Sequence, residues 1–381
     1  MCDEEAAIGL LRAIGGLAGS LPNWVVHLGT YILGLYYRAC CLLPVRKSVV
    51  LFTSYPDVAD NSFAMFEYLR ASGQGLRCEW LVGADFDAAS RDLAGAKAHK
   101  RTSLSGIRAT ATAEYVFHTH GIYRFARKRR GQTIVNLWHG MPLKTIGTFD
   151  PNVRRLPIGD VAIATSVFFR KLIAQAFDMP ETAVLVSGQP RNDLLVRSAS
   201  LREPDIILWM PTYRASNVGD VRQDSLFNAA VMMQTLREID AGLEGKGARL
   251  VLKLHPMDVL NVQLQGDFRN VQVLRQGDPQ PPLPDLMASS RALITDYSSA
   301  AIDYAVLGRP LGYFCPDRAD YVRGFVPGVA DVFFSAGTVL DDVDRLVSFI
   351  LDPPRKSPPT PNLVKDYDDG ACERIWNAIK E

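Results

Sequence analysis

The chain has 381 residues, enough for two domains of ordinary size, and its 48% apolar content excludes a disordered polypeptide. Lys and Arg number 42 against 41 Asp and Glu; a net charge of +1 excludes the broad basic surface that bulk nucleic-acid binding requires. Six cysteines (Cys2, Cys40, Cys41, Cys78, Cys315, Cys372) form no CxxC pair and no metal-ligand spacing, which predicts reduced, mostly buried thiols and a cytosolic setting.

The amino terminus, Met1-Cys2-Asp3-Glu4-Glu5, is acidic where a secretory signal would be basic. Residues 21–45 are rich in large apolar and aromatic side chains, among them Trp24, Tyr31, Ile32, Tyr36 and Tyr37. Asn23, His27 and Arg38 interrupt this stretch, so no membrane-spanning run is expected. Two readings stand side by side. One is an interfacial helix with aromatic rings at headgroup level, followed by Arg46 and Lys47. The other is a core helix of the first domain.

Strand–helix alternation begins after Pro44. Short apolar, β-branched runs predict strands over 48–52, 78–82, 115–118, 133–138, 161–164 and 183–186. Helices are expected over 61–71 and 166–177, the second with Ser166 as a cap. A second set of strands is expected over 205–209, 250–254, 271–274, 291–294 and 311–314, with helices over 225–243, 299–307 and 371–380. Arg124, Arg127, Lys128, Arg129 and Arg130 are expected to form a solvated loop, the alternative being contact with acidic lipid headgroups or a lipid-linked pyrophosphate. Alternating strands and helices imply right-handed crossovers and parallel sheets. The fold class is therefore α/β, two doubly wound, Rossmann-like domains facing a cleft. The expected division is an apolar helical segment over 1–45, domains over 46–198 and 199–360, and a terminal helix within 361–381. No GxGxxG and no GxxxxGK[ST] occurs, so neither a dinucleotide fingerprint nor a P-loop is present.

Polar motifs follow the apolar runs, where open α/β sheets bind ligands. His139 follows residues 134–137, with Gly140 next and Lys144 beyond; an imidazole titrating near neutrality suits proton removal from an attacking hydroxyl. Lys253 and His255 share one face of a strand end, as expected for donors to phosphate oxygens. Arg214 follows Pro211-Thr212-Tyr213, and its planar fork suits two phosphate oxygens. Ser298 and Ser299 follow Thr295-Asp296-Tyr297 at an expected helix start, a ready anion site. Asp303 lies one turn on and suits sugar or glycerol hydroxyls. Arg191, Asn192 and Asp193 follow Gly188 and Pro190; they are expected in a polar turn between the domains, placed to close the cleft.

Taken together, these motifs, with Arg309-Pro310, Asp369-Gly370 and Arg374, resemble the CDP-glycerol glycerophosphotransferase family of teichoic-acid primases, polymerases and related capsule enzymes. The resemblance runs from about Val116 to the chain end. It implies the GT-B fold. It implies catalytic roles for His139, as base, and for His255. Donor diphosphate or nucleotide contacts are expected from Arg214, Ser298, Ser299, Asp296, Asp303, Lys253 and Thr212, with Gly140, Lys144, Arg191, Asn192 and Asp193 as accessory residues of the cleft. Two positions depart from the family pattern: Met141, where threonine is frequent, and Gln189, where an aromatic residue is common.

The expected reaction is transfer of glycerol phosphate from CDP-glycerol to a hydroxyl of a lipid-linked saccharide or polyol-phosphate acceptor, with CMP released. No cofactor, no obligatory metal and no nucleic-acid partner is expected. The expected location is the cytoplasmic face of the membrane, peripherally bound, and the short length favours a primase. Three alternatives remain open at this stage: a ribitol-phosphate transferase using CDP-ribitol, a GT-B glycosyltransferase using a nucleotide sugar, and a non-catalytic scaffold.

Overall fold

The computed structural model describes residues 22–87, 93, 95–153, 155–212, 229–254, 264, 266–275, 277–316, 318, 325–358, 360–366 and 368–380. In chain order its elements are α1 (Asn23–Cys40), β1 (Arg46–Thr53), α2 (Asp60–Ala71), β2 (Arg77–Val82), β3 (Lys97–Lys100), α3 (Leu104–Thr112), β4 (Ala113–His118), β5 (Thr133–Asn136), β6 (Val161–Ala164), α4 (Val167–Ala176), β7 (Val184–Val186) and α5 (Pro190–Ser200). Then come β8 (Ile206–Trp209), α6 (Ala229–Gly242), β9 (Arg249–Lys253), β10 (Val271–Leu274), α7 (Leu283–Ala288), β11 (Ser290–Thr295), α8 (Ala300–Ala305), β12 (Leu311–Phe314), α9 (Val329–Phe334), β13 (Thr338–Leu340), α10 (Val343–Leu351) and α11 (Ala371–Ile379).

The first seven strands form a parallel sheet in the order β3-β2-β1-β4-β5-β6-β7, and the other six form a second in the order β10-β9-β8-β11-β12-β13. Strand order reverses between β1 and β4 in one sheet and between β8 and β11 in the other. Each reversal opens a crevice at the carboxyl ends of its strands.

Side-chain alternation explains why the buried strands are apolar throughout. Val49 and Leu51 of β1 pack with α1 and α3, through Leu33, Tyr37 and Ile107. Val50 and Phe52 face the other way, onto Met65 and Phe66 of α2. Phe52 stacks on Phe117 at 5.4 Å between ring centroids. The final helix, α11, joins this same face through Ile375 and Trp376, so the chain ends on the first sheet.

A third cluster crosses between the two halves. Met141, Leu143 and Phe169 of the first pack with Leu208, Tyr297, Val326 and Phe333 of the second. This apolar seam joins the two sheets into one packed unit.

The N-terminal helix α1 is two-faced: Leu33 and Tyr37 are buried, whereas Trp24 is 68% and Tyr31 63% exposed. No helix among the described residues is long and apolar enough to cross a membrane. The five described cysteines are free thiols, and Cys2 lies outside the described residues.

Several expectations needed correction. Edge strands β3 and β13 were not expected, since Lys97-Ala98-His99-Lys100 is polar and β13 has three residues. The run expected to be extended to residue 138 ends at Asn136, and Trp138 turns off with φ +49°. The expected polar turn at 191–193 is instead the first turn of α5, where Pro190 occupies a position that needs no N–H. The residues expected to begin the second domain, 199 and 200, close that same helix.

Candidate active site

Residues that follow β1, β4 and β5 build one side of the site. His118, the last residue of β4, is fully buried. Its Nε2 lies 2.7 Å from the Ile158 carbonyl, and burial pushes its pKa down to about 4. It is a structural histidine. Thr119 and His120 come next and leave the sheet. His139 follows β5 and turns back against them.

The geometry at His139 fixes its tautomer. Nδ1 lies 3.3 Å from the Thr119 carbonyl oxygen, which accepts hydrogen bonds and donates none. Nδ1 therefore carries the proton, and Nε2 keeps a lone pair. Burial lowers the pKa of this imidazole. The Thr119 bond and the Asp60 charge oppose that shift, and Arg191 reinforces it. The ring is neutral at pH 7, the form a general base needs. Two rings pack on it: His120 at 4.1 Å and 9° between planes, and Trp138 at 4.2 Å.

Gly140 explains how the second half of the chain reaches this loop. Its φ is +143°, and a Cβ there would lie 3.0 Å from Ser299 Oγ and 3.2 Å from Arg191 Nη2. The glycine thus lets the His139 loop, the start of α8 and Arg191 meet.

Arg191 is the hub. Its Nη1 donates to Asp60 Oδ1 at 2.6 Å and to the His139 carbonyl at 3.1 Å. Its Nη2 and Nε grip Asp303 at 2.6 and 3.2 Å. Burial works against the charge, but Asp303 and Asp60 more than offset it and raise the guanidinium pKa. Asn61 extends the network. Its Oδ1 accepts from the Arg191 amide at 3.1 Å, and its Nδ2 donates to the Trp138 carbonyl at 3.0 Å. Buried Gln189 links both sides: its Nε2 donates to Asp303, and its Oε1 accepts from Asn61 at 3.4 Å. An aromatic side chain at this position would make neither bond.

At the second crevice, the Asp296 carboxylate accepts from the Thr212 amide at 3.0 Å, the Thr212 hydroxyl at 2.9 Å and the Tyr297 amide at 2.7 Å. These bonds tie the chain after β8 to the chain after β11. Both residues thus shape the crevice wall, and their groups already serve one another. The Ser298 hydroxyl accepts from the Ala300 amide at 3.3 Å. Lys253 donates to Gln280, and burial lowers its pKa. Lys144 makes an antiparallel bridge to Phe325, beside a 2.9 Å bond from the Val326 amide to the Leu143 carbonyl. Arg214 and His255 lie outside the described residues.

Two accessory candidates are buried. The Asp193 carboxylate accepts the Ala371 and Cys372 amides at 2.9 and 2.8 Å, capping α11. Asn192 is buried within α5.

Sequence reasoning passed over Asp60, Asn61, Thr119 and His120. A signal existed for the last two: His118-Thr119-His120 ends an apolar strand, as the other motifs do. Asp60 and Asn61 look like ordinary residues of a helix start. Beside His120 and Trp138 opens a 1140 Å³ cleft at the first strand reversal, whose floor includes Thr53, Ser54, Asp57 and Arg101. Arg101 Nη2 pairs with Asp57 Oδ1 at 2.5 Å and donates to the Ser54 carbonyl at 2.8 Å.

Two parallel-sheet domains with polar residues at their strand ends define a GT-B-like architecture. The chain belongs to the CDP-glycerol:poly(glycerophosphate) glycerophosphotransferase family, whose profile matches residues 35–379. It is 27% identical over 319 residues to the teichoic acid poly(glycerol phosphate) polymerase of Bacillus subtilis (strain 168), covering 74% of this chain and 41% of that protein. It is 26% identical over 340 residues to the teichoic acid ribitol-phosphate primase of Bacillus spizizenii, covering 77% of this chain and 82% of that one. Among solved structures, the wall teichoic acid polymerase TagF shares the fold, with a TM-score of 0.70 at 19% identity over 98% of this chain and 97% of that one. Membership makes the chain a glycerophosphotransferase in class, with CDP-glycerol as the family's donor.

The Arg191 hub gives a stability prediction. Arg191→Ala leaves buried Asp303 and partly buried Asp60 without a countercharge and should cost about 3–5 kcal/mol. Denaturant unfolding measures this, and an unchanged midpoint would contradict the role given to the hub.

Proposed function

We propose that the chain transfers glycerol phosphate from CDP-glycerol to a hydroxyl of a lipid-linked saccharide or polyol-phosphate acceptor. The acceptor enters through the cleft at the first strand reversal, past His120 and Trp138. The donor lies along the second reversal, near Ser298 and Ser299, with Arg214 and His255 on its diphosphate. One observation carries the reading: His139, its Nε2 lone pair available, sits on a loop that touches Ser299 at Gly140. The proton acceptor and the donor side of the cleft are thus adjacent.

The acceptor oxygen attacks the glycerol-bearing phosphorus, and its proton passes to His139 Nε2. The bond from that phosphorus to the bridging oxygen breaks, and CMP leaves with that oxygen. Positioning and fixed positive charge carry most of the rate, as in phosphoryl transfer generally. A single addition, the primase-type outcome, is the form proposed here, in keeping with the similarity to a ribitol-phosphate primase. Use of CDP-ribitol is the second reading, supported by the similarity to a ribitol-phosphate primase.

His139→Ala should abolish CMP release from CDP-glycerol while leaving donor binding by calorimetry largely intact. Near-normal turnover in that variant would remove His139 as the base.

Peripheral attachment to the cytoplasmic face of the membrane belongs to the same proposal. Its support is the exposed face of α1, where Trp24, Leu28, Tyr31 and Ile32 are 68, 50, 63 and 54% exposed. Replacing Trp24, Tyr31 and Ile32 by serine should reduce flotation with anionic liposomes. Unchanged flotation would refute this surface as the anchor.

A further inference from the structure

His120 is a second histidine at the centre of the site, and neither the motifs nor the proton transfer proposed for His139 uses it. It differs from its buried neighbour His118 in every respect that matters. Its ring lies flat on His139, at 4.1 Å and 9°. It lines the cleft together with Trp138. Thr119 holds both rings: its carbonyl fixes Nδ1 of His139, and its hydroxyl lies 2.8 Å from Nδ1 of His120. Tyr55 packs edge-on against His120 from the other side, at 5.8 Å.

We propose that His120 is a positioning residue for His139, fixing the plane of that imidazole and keeping water from one of its faces. This rests on the reading of His139 as the proton acceptor. An imidazole held by one 3.3 Å hydrogen bond remains free to tilt about that bond. Packing by His120 and Trp138 restricts that freedom and holds the ring in one orientation before the acceptor arrives. Misplacement of a reacting group by about 1 Å costs on the order of 100-fold in rate, which is the scale of the effect available here.

Stacking two imidazoles carries a condition: both cannot be charged, since two imidazolium ions 4.1 Å apart repel. Apart from His120, the charged and titratable groups facing His139 are Asp60 and Arg191; those facing His120 are Asp60, Arg101, His118 and His139. Burial first, and His139 second, bring the His120 pKa down to about 4. His120 therefore stays uncharged through the physiological range, and burial shifts His139 toward its neutral form. If the His120 ring is removed, water reaches His139 and the burial that lowers its pKa is relieved. That pKa then rises toward the ordinary value of about 6.5. The acid limb of kcat/KM reports the free enzyme's base and must move to higher pH with it.

The test compares His120→Ala, His120→Phe and His139→Ala for kcat, donor KM and the pH profile of CMP release from CDP-glycerol. Calorimetric donor affinity serves as the check on folding. His120→Ala should lose about tenfold or more in kcat with donor KM little changed, and its acid limb should shift upward. His120→Phe keeps a flat ring over His139, so it should recover most of that rate and retain the low limb. A phenylalanine variant as impaired as alanine would overturn the proposal, as would an alanine variant with wild-type rate and profile. An inactive His139→Ala beside an unaffected His120→Ala sinks this inference alone. Near-normal turnover by His139→Ala sinks it together with the reading on which it rests.

Discussion

The site depends on one guanidinium. Arg191 lies between two carboxylates, Asp60 from the first half of the chain and Asp303 from the second, and also holds the His139 carbonyl. A charge pair this deep gains little net stability over well-packed apolar groups of the same size. Its geometry gives it another value. A planar fork meeting Asp303 through two nitrogens permits only one relative placement of its supports. The apolar seam through Leu143, Phe169, Tyr297 and Phe333 supplies the adhesion between the halves, while Arg191 sets their register at the cleft.

Much of this was legible in the sequence, for physical reasons. Buried parallel strands must be apolar on both faces, so runs such as Val49-Val50-Leu51-Phe52 stand out. Ligand sites of open α/β sheets lie at strand ends, which gave the polar motifs after β5, β8, β9 and β11 their meaning. What remained hidden was partnership. The Asp296 carboxylate ties Thr212 and Tyr297 in place, a tie between two strand ends that no motif announces. Asp193 looked like part of a hinge, yet it caps a helix whose first residue lies 178 positions further along the chain. His120 gave no sign of stacking on His139, because the two meet only once β4 and β5 pair. The polar edge strand β3 lacks the apolar signal altogether, since an edge needs burial on fewer sides.

The departures from the family pattern gain physical content in the same way. At Gln189, where the resemblance leads one to expect an aromatic residue, the amide serves both Asn61 and Asp303. Met141 is buried in the seam between the two halves, where a hydroxyl would need a partner. Both positions fall on the contact between the two halves of the chain rather than on a titratable group. The chemistry assigned to His139 is thus untouched, and the variation concerns how the two sides are held together.

The central claim is that a hydroxyl is joined to phosphorus, with the nucleotide leaving as CMP. The most direct measurement is product mass and nucleotide stoichiometry after incubation with CDP-glycerol and a lipid-linked disaccharide analogue. The account predicts a gain of one glycerol phosphate on the acceptor, with one CMP released per transfer. Release of CDP, or an acceptor that gains a group carrying no phosphorus, would contradict it.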